Sequence, residues 1–90
     1  MSKLNLEKVV DLAGGQRALA DKISERMQLE KPLKQGHVWG WLNRYSFGIT
    51  AEYVIAACEV INYQISPHQL RPDIYPHPHD GLPSHLREVA

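Results

Sequence analysis

The chain has a single cysteine, Cys58, in 90 residues. One thiol cannot close a disulfide or build a cysteine-based zinc site within a chain, which fits a reducing compartment. Long apolar runs are missing too: nothing approaches the roughly 18 residues of a membrane helix. Met1-Ser2-Lys3-Leu4-Asn5 lacks the apolar stretch of a signal peptide. These absences point to a cytoplasmic protein with no membrane partner. Net charge is also missing, since 10 Lys/Arg balance 10 Asp/Glu, so the chain is a poor nonspecific coat for a polyanion. No Ser/His/Asp constellation and no paired carboxylates stand out, so an enzyme is not expected. There is no strand-like alternation of useful length and no internal repeat. A chain of 90 residues allows one domain, and a domain this small gains from association with a second copy.

What is present is an uneven distribution of charge. Residues 1–48 hold eight Lys/Arg against five Asp/Glu, and residues 49–90 hold two against five. The run from Lys31 to Phe47 contains Lys31, Lys34, His37 and Arg44 and no acid. A neutral chain with one basic stretch suits a protein that meets DNA at one place.

Apolar residues recur at helical spacing through most of the chain. Asn5 is placed to cap a first helix over Leu6–Ala13, with Leu6, Val9, Val10 and Ala13 on one face, and Gly14 supplies a left-handed stop. A second helix starts at Gly15, carries Ala18, Leu19, Ile23 and Met27, and runs toward Gln28; Pro32 closes the segment. The third spans Lys34 to Asn43. Thr50 caps a fourth, with Glu52 complementing its dipole and Tyr53, Val54, Ala57 and Ile61 facing inward. Ser66-Pro67-His68-Gln69 is a capping-box start with proline at the first helical position, and Pro72 stops that fifth helix near Leu70. Pro72, Pro76, Pro78 and Pro83 predict a mostly extended tail, with one helical turn over His85–Val89. The expectation is an all-α, compact five-helix domain over residues 1–76 and a flexible Pro/His-rich tail over 77–90.

The third helix carries the chemistry. At roughly 100° per residue, Val38, Trp41, Leu42 and Tyr45 fall on one side. Gly36, Gly40 and Asn43 fall opposite, with His37 and Arg44 on one edge and Gln35 and Trp39 on the other. A glycine inside an exposed helix costs roughly 1 kcal/mol relative to alanine. Two of them one turn apart mark a surface that another molecule approaches closely. Gln35 can read adenine bidentately, His37 can donate to guanine or phosphate, and Arg44 suits either. Gln16 and Arg17 open the second helix, where side chains and the helix N-terminus meet phosphate. The base-reading set is therefore Gln35, Gly36, His37, Trp39 and Gly40. The phosphate set is Gln16, Arg17, Lys34, Asn43 and Arg44. The plain alternative is a helix that only packs, with Trp39 an incidental surface aromatic.

The residues Gly14-Gly15-Gln16-x-Ala18-Leu19-Ala20, then Gln35-x-x-Val38-x-x-Trp41-Leu42-Asn43, then an Ala-Glu-containing helix, then Leu70-Arg71-Pro72-Asp73-Ile74-Tyr75-Pro76 resemble the YdaS/Cro-like family of phage and prophage repressors. The resemblance covers about residues 5–76. It implies a lambda-repressor-like helix-turn-helix fold and a repressor that binds double-stranded DNA, usually as a homodimer on a palindromic operator. It also implies that Gln35, Gly36, His37 and Gly40 face bases while Gln16 and Asn43 face phosphates. Two departures stand out. Ser24 to Lys34 replaces a tight turn of a few residues, and glycines occupy positions 36 and 40 where many relatives carry larger side chains. The expected dimer interface is the last apolar segment, around Ile65, Leu70, Ile74 and Tyr75. Some relatives are described as antitoxins, so the alternative is a protein-interaction module with the same fold whose helical face meets a protein partner.

Three rival motifs are weaker. Gly14-Gly15-Gln16 also occurs at the catalytic tip of peptide-release factors, but there it sits on a loop, whereas Ala18, Leu19 and Ile23 here make it a helix start. His77-Pro78-His79-Asp80 with His85 has donors for zinc or nickel, yet the flanking prolines fit a solvated tail, and no metal or other cofactor is expected. Cys58 lies in the C-terminal half of its helix beside Glu59, where dipole and acid raise a thiol's pKa, and reads as a core residue.

Overall fold

Leu6, Val9, Val10 and Ala13 form the apolar stripe of helix α1 (Leu4–Ala13), and all four are buried. The computed structural model describes residues 3–87. Gly14 ends α1 at φ 102°, with its N–H donating to the Asp11 carbonyl at 3.1 Å and the Gly15 N–H donating to the Val10 carbonyl at 2.8 Å. A residue with a Cβ is strained in that left-handed stop. Gly15, at φ 115°, then leads into α2 (Gln16–Met27). Lys22 Nζ donates to the Ala13 carbonyl at 2.8 Å, a cation placed at the negative end of α1.

The order continues with α3 (Gln35–Asn43), a 3-10 turn (Ala51–Tyr53) running into α4 (Val54–Val60), α5 (Pro67–Leu70) and α6 (Ser84–Arg87). The described residues contain no strand. The capping box at α5 forms in both directions: the Gln69 N–H donates to Ser66 Oγ at 3.1 Å, and the Ser66 N–H donates to Gln69 Oε1 at 2.9 Å. Thr50 sits at the start of the 3-10 turn in extended conformation, but its side chain makes no capping bond. Asn5 likewise caps nothing. It lies inside α1, and its Nδ2 donates to the Gln69 carbonyl at 2.9 Å, tying the first helix to the fifth.

Helix α2 is central and packs on α1, α3 and α4. It turns Leu19, Ala20, Ile23 and Ser24 inward, while Ala18 is half-buried and Met27 exposed. Leu19 and Ile23 join Val9, Val38, Ile49 and Val54 among the fully buried side chains; truncating a buried Leu or Ile to Ala costs about 2–5 kcal/mol. The long connection after α2 is anchored in this core. Gln28 takes a left-handed conformation (φ 53°), and Leu33 is buried. The Leu33 N–H donates to Ser24 Oγ at 2.7 Å, and Ser24 Oγ donates to the Ala20 carbonyl at 2.7 Å. A buried hydroxyl needs partners; Ser24 finds them by stapling the loop to its own helix.

The Arg-Pro-Asp segment after α5 is a clasp. Arg71 is only 7% exposed. Its Nε and Nη2 donate to Asp73 Oδ1 at 2.8 Å and Oδ2 at 2.6 Å, and its Nη1 donates to the Ile49 carbonyl at 2.6 Å. The same guanidinium lies 5.2 Å from the Phe47 ring centroid. The Arg71 guanidinium holds the Asp73 carboxyl below the usual carboxylate range.

Two expectations for the C-terminal third change. Ile65 and Leu70 are core residues, so of the four proposed for a dimer interface only Ile74 is exposed, with Tyr75 half-buried and its carbonyl 2.7 Å from His68 Nδ1. A short capped helix in a small domain goes to its own core first. The segment after Pro76 is not extended either. The Asp80 N–H donates to the His77 carbonyl and the His77 N–H donates to Asp80 Oδ2, both at 3.0 Å. Gly81, at φ 77°, then sits so close that a Cβ would come within 2.9 Å of Pro67. Asp80 and Gly81 supply the turn that the prolines alone do not. Helix α6 overlaps the anticipated turn over 85–89, of which positions 88 and 89 lie outside the described residues. Cys58 is fully buried, and burial, with a smaller contribution from Glu59, pushes its thiol up to about 12. Among the described residues no helix is long and apolar enough to cross a membrane.

Candidate nucleic-acid interface

Helices α2 and α3 both open on a glutamine, and packing brings those two ends together. Gln35 Nε2 donates directly to Gln16 Oε1. One of the two N–H groups of Gln35 is thereby used, and the bond restrains its amide. The other N–H and the carbonyl oxygen remain on an exposed residue, a donor and an acceptor for a ligand. Both helix N-termini add partial positive charge at this point.

The start of α3 has an unusual cap. Lys34 is the N-cap residue, at φ −116°, ψ 164°, but an ammonium cannot accept a hydrogen bond. His37 supplies the acceptor: the Lys34 N–H donates to His37 Nδ1 at 3.0 Å, while the His37 N–H donates to the Lys34 carbonyl at 2.9 Å. With Nδ1 accepting, the neutral ring carries its proton on Nε2 and has a donor left for a ligand. Sequence periodicity assigns His37 only an outward role; the structure gives it a second. His37→Ala is expected to cost about 1 kcal/mol of stability, as other cap deletions do, and so to lower Tm by about 4–8 °C in a domain of this size. A thermal melt checks this, and an unchanged Tm would mean the cap bond is absent in solution.

The remaining residues chosen from sequence lie around two adjoining hollows and along α3. Arg17, Lys34 and Gln35 line a groove of about 410 Å³ with Asp21, Pro32 and Leu33. Lys34, Gly36, His37, Gly40 and Arg44 line a cleft of about 490 Å³ beside it, closed by Trp41, Tyr45, Thr50, Glu52 and Tyr53. Trp39 is 46% exposed, and the Arg44 guanidinium lies 6.0 Å from its ring centroid. Asn43 Nδ2 is turned back onto its own helix, donating to the Trp39 carbonyl at 3.0 Å, which leaves one of its N–H groups for a phosphate.

Two positions differ from the helical-wheel reading. Gly40 is buried, not open. Its carbonyl accepts the N–H groups of both Arg44, at 2.8 Å, and Tyr45, at 3.1 Å, so the helix ends there and the chain folds over it. A Cβ at Gly40 would lie 3.5 Å from Tyr45 Cε2. That is ordinary van der Waals contact, so Tyr45 covers this position and Gly40 does not present bare backbone. Gly36 behaves as expected: a Cβ there would meet nothing within 4 Å. Tyr45, placed on the core side by periodicity, is beyond the helix end, 40% exposed, and stacked on Phe47 with ring centroids 5.2 Å apart. Tyr45 thus lines the cleft beside α3, a place that sequence periodicity does not give it. Among the described residues no group of three or more His, Cys, Asp or Glu is placed to hold a metal ion.

No curated protein and no solved structure matches the chain significantly. A family model described as bacterial toxin YdaS matches residues 6–79, a span that takes in nearly all of α1, then α2 to α5 and the Arg71–Asp73 clasp. With that much of its length matched, the chain belongs to the YdaS family.

Proposed function

We propose that the chain is a sequence-specific, Cro-like DNA-binding regulator that lays α3 in the major groove, and the hydrogen bond between Gln16 and Gln35 carries this reading. An unrestrained glutamine loses up to about 2 kcal/mol of rotamer entropy when it is ordered. Gln35 is restrained by Gln16, so part of that loss is already met before it reaches a base. Its free N–H and oxygen match the N7 acceptor and N6 donor of adenine, a contact worth about 1–3 kcal/mol of discrimination. Arg17 and the N-terminus of α2 meet the phosphate flanking that base, and Lys34 and Arg44 extend the cationic border. Two copies on a palindrome would place their α3 helices about 34 Å apart, one turn of DNA.

Arg17→Ala tests the assignment of phosphate contacts. It is expected to weaken binding alike on a preferred duplex and on a scrambled one, and to flatten the salt slope by about one unit. Fluorescence anisotropy across a salt series measures both. A changed sequence preference would remove Arg17 from the phosphate set. The family's description as a toxin favours a second reading, an antitoxin-type or co-regulator module in which the same face meets a protein. A partner held at fixed stoichiometry without DNA, together with no footprint on the DNA flanking the chain's own gene, would select it.

A further inference from the structure

We infer that Tyr45 and Phe47 make a second contact with DNA, packing on the deoxyriboses of the strand that borders the groove α3 enters. This rests on the DNA-binding reading above. The two rings are stacked, and each is 40% exposed. Stacked side by side, they offer one flat apolar surface that a ligand can cover. Tyr45 lines the same cleft as His37 and Arg44, so the patch continues the α3 face and does not stand apart from it. It is also ordered before any ligand arrives. The Tyr45 N–H donates to the Gly40 carbonyl, and the buried Arg71 guanidinium lies over the Phe47 ring. A preformed contact avoids most of the ordering cost of a loop.

Charge decides what the patch meets. No acid occurs between Lys31 and Phe47, and Lys34, His37 and Arg44 outnumber the one acid, Glu52, in the cleft that Tyr45 lines. A two-fold interface would set this surface against its own copy, cation facing cation. A nucleic-acid strand offers the complement: apolar sugars at the spacing of phosphates. The rings already stack on each other, so the contact expected of them is with sugars at the groove edge, the Tyr45 hydroxyl donating to a phosphate.

The test uses the full chain and a duplex enriched from a randomised pool by the parent protein. Tyr45→Ser and Phe47→Ser are each expected to bind that duplex about tenfold more weakly, as the loss of a partly buried ring implies. The salt slope should stay unchanged, because a sugar contact releases no counterion. Hydroxyl-radical footprints should lose protection at deoxyriboses on one flank, while discrimination at the base read by Gln35 persists. Phe47→Ser removes the ring beneath Arg71, so if it does not melt cooperatively, Tyr45→Ser carries the test. Variants that bind and footprint like the parent would overturn this inference and leave the DNA-binding reading intact. Loss of self-association in sedimentation without DNA would assign the patch to a second copy and overturn it too. A parent protein that enriches no duplex would overturn both.

Discussion

Arg71→Ala is expected to lower the free energy of unfolding by about 3 kcal/mol, because hydrogen bonds to a charged group are worth about 1.5–3 kcal/mol and breaking a buried ion pair costs more than breaking an exposed one. The side of the clasp facing Asp73 contributes the smaller part, since the Asp73 side chain is 42% exposed and water screens it. The larger part comes from the Ile49 carbonyl, which loses its guanidinium partner in the core, and from the lost contact of that guanidinium with the Phe47 ring. In a domain of this length the change corresponds to a Tm lower by about 12–24 °C. Arg71→Lys should recover only a fraction, since an ammonium cannot bridge both carboxylate oxygens and a carbonyl in one plane.

The same clasp sets a pH dependence. Arg71 depresses the Asp73 pKa in the folded state. A depressed carboxylate stabilises the fold fully above its unfolded pKa of about 3.9, and that stabilisation fades as pH falls through the lower folded value. The gap in Tm between the parent and Arg71→Ala should therefore narrow below about pH 4. Circular dichroism melts from neutral to acid pH measure it. A variant that melts with the parent at pH 7 would show that the clasp closes nothing.

Gln35→Ala should lower affinity for the preferred duplex by about tenfold to a hundredfold, the range of one bidentate base contact. Binding to a scrambled duplex should barely change, because phosphates dominate there. Gln16→Ala should lose part of the same preference, since it frees the Gln35 amide to rotate. The two losses should not add: a double-mutant cycle is expected to show about 0.5–3 kcal/mol of coupling, as for other residues in direct contact. Additive effects would mean that the two glutamines act separately and that their hydrogen bond orients nothing.

Much of this architecture was legible because it is local. The inward stripe of α1, the left-handed stop at Gly14 and the reciprocal capping at Ser66 and Gln69 all depend on residues within one or two turns of each other. What escaped involves distant partners. Nothing near Asn5 says that its amide will meet the Gln69 carbonyl, and nothing near Arg71 points to Ile49. Ser24 reads as an ordinary helix residue until Leu33 folds back onto it. Periodicity also carries no stop signal of its own, so a wheel drawn through α3 continues to Tyr45 although both Arg44 and Tyr45 bond to Gly40 and end the helix. Ile65 and Leu70 show the limit for apolar residues: their chemistry suits a subunit interface and a core equally, and only packing decides. Most members of the candidate interface lie within one helix and can be grouped from sequence; the link between Gln16 and Gln35 cannot, since it depends on how α2 packs on α3.

The fully buried Cys58 makes the protein its own stopwatch. Alkylating reagents attack the thiolate, and in the folded chain the sulfur is shielded while burial pushes its pKa up to about 12. Once α4 opens, the thiol regains an ordinary value of about 8.5 and reacts. At mildly alkaline pH, where closing outpaces the reagent, the labelling rate is therefore the opening equilibrium multiplied by the rate for a free cysteine. A single native atom thus reports how often this core comes apart. Any ligand that binds only the closed form must slow that rate by a factor of one plus its concentration over Kd, so affinity can be read with no dye and no engineered residue.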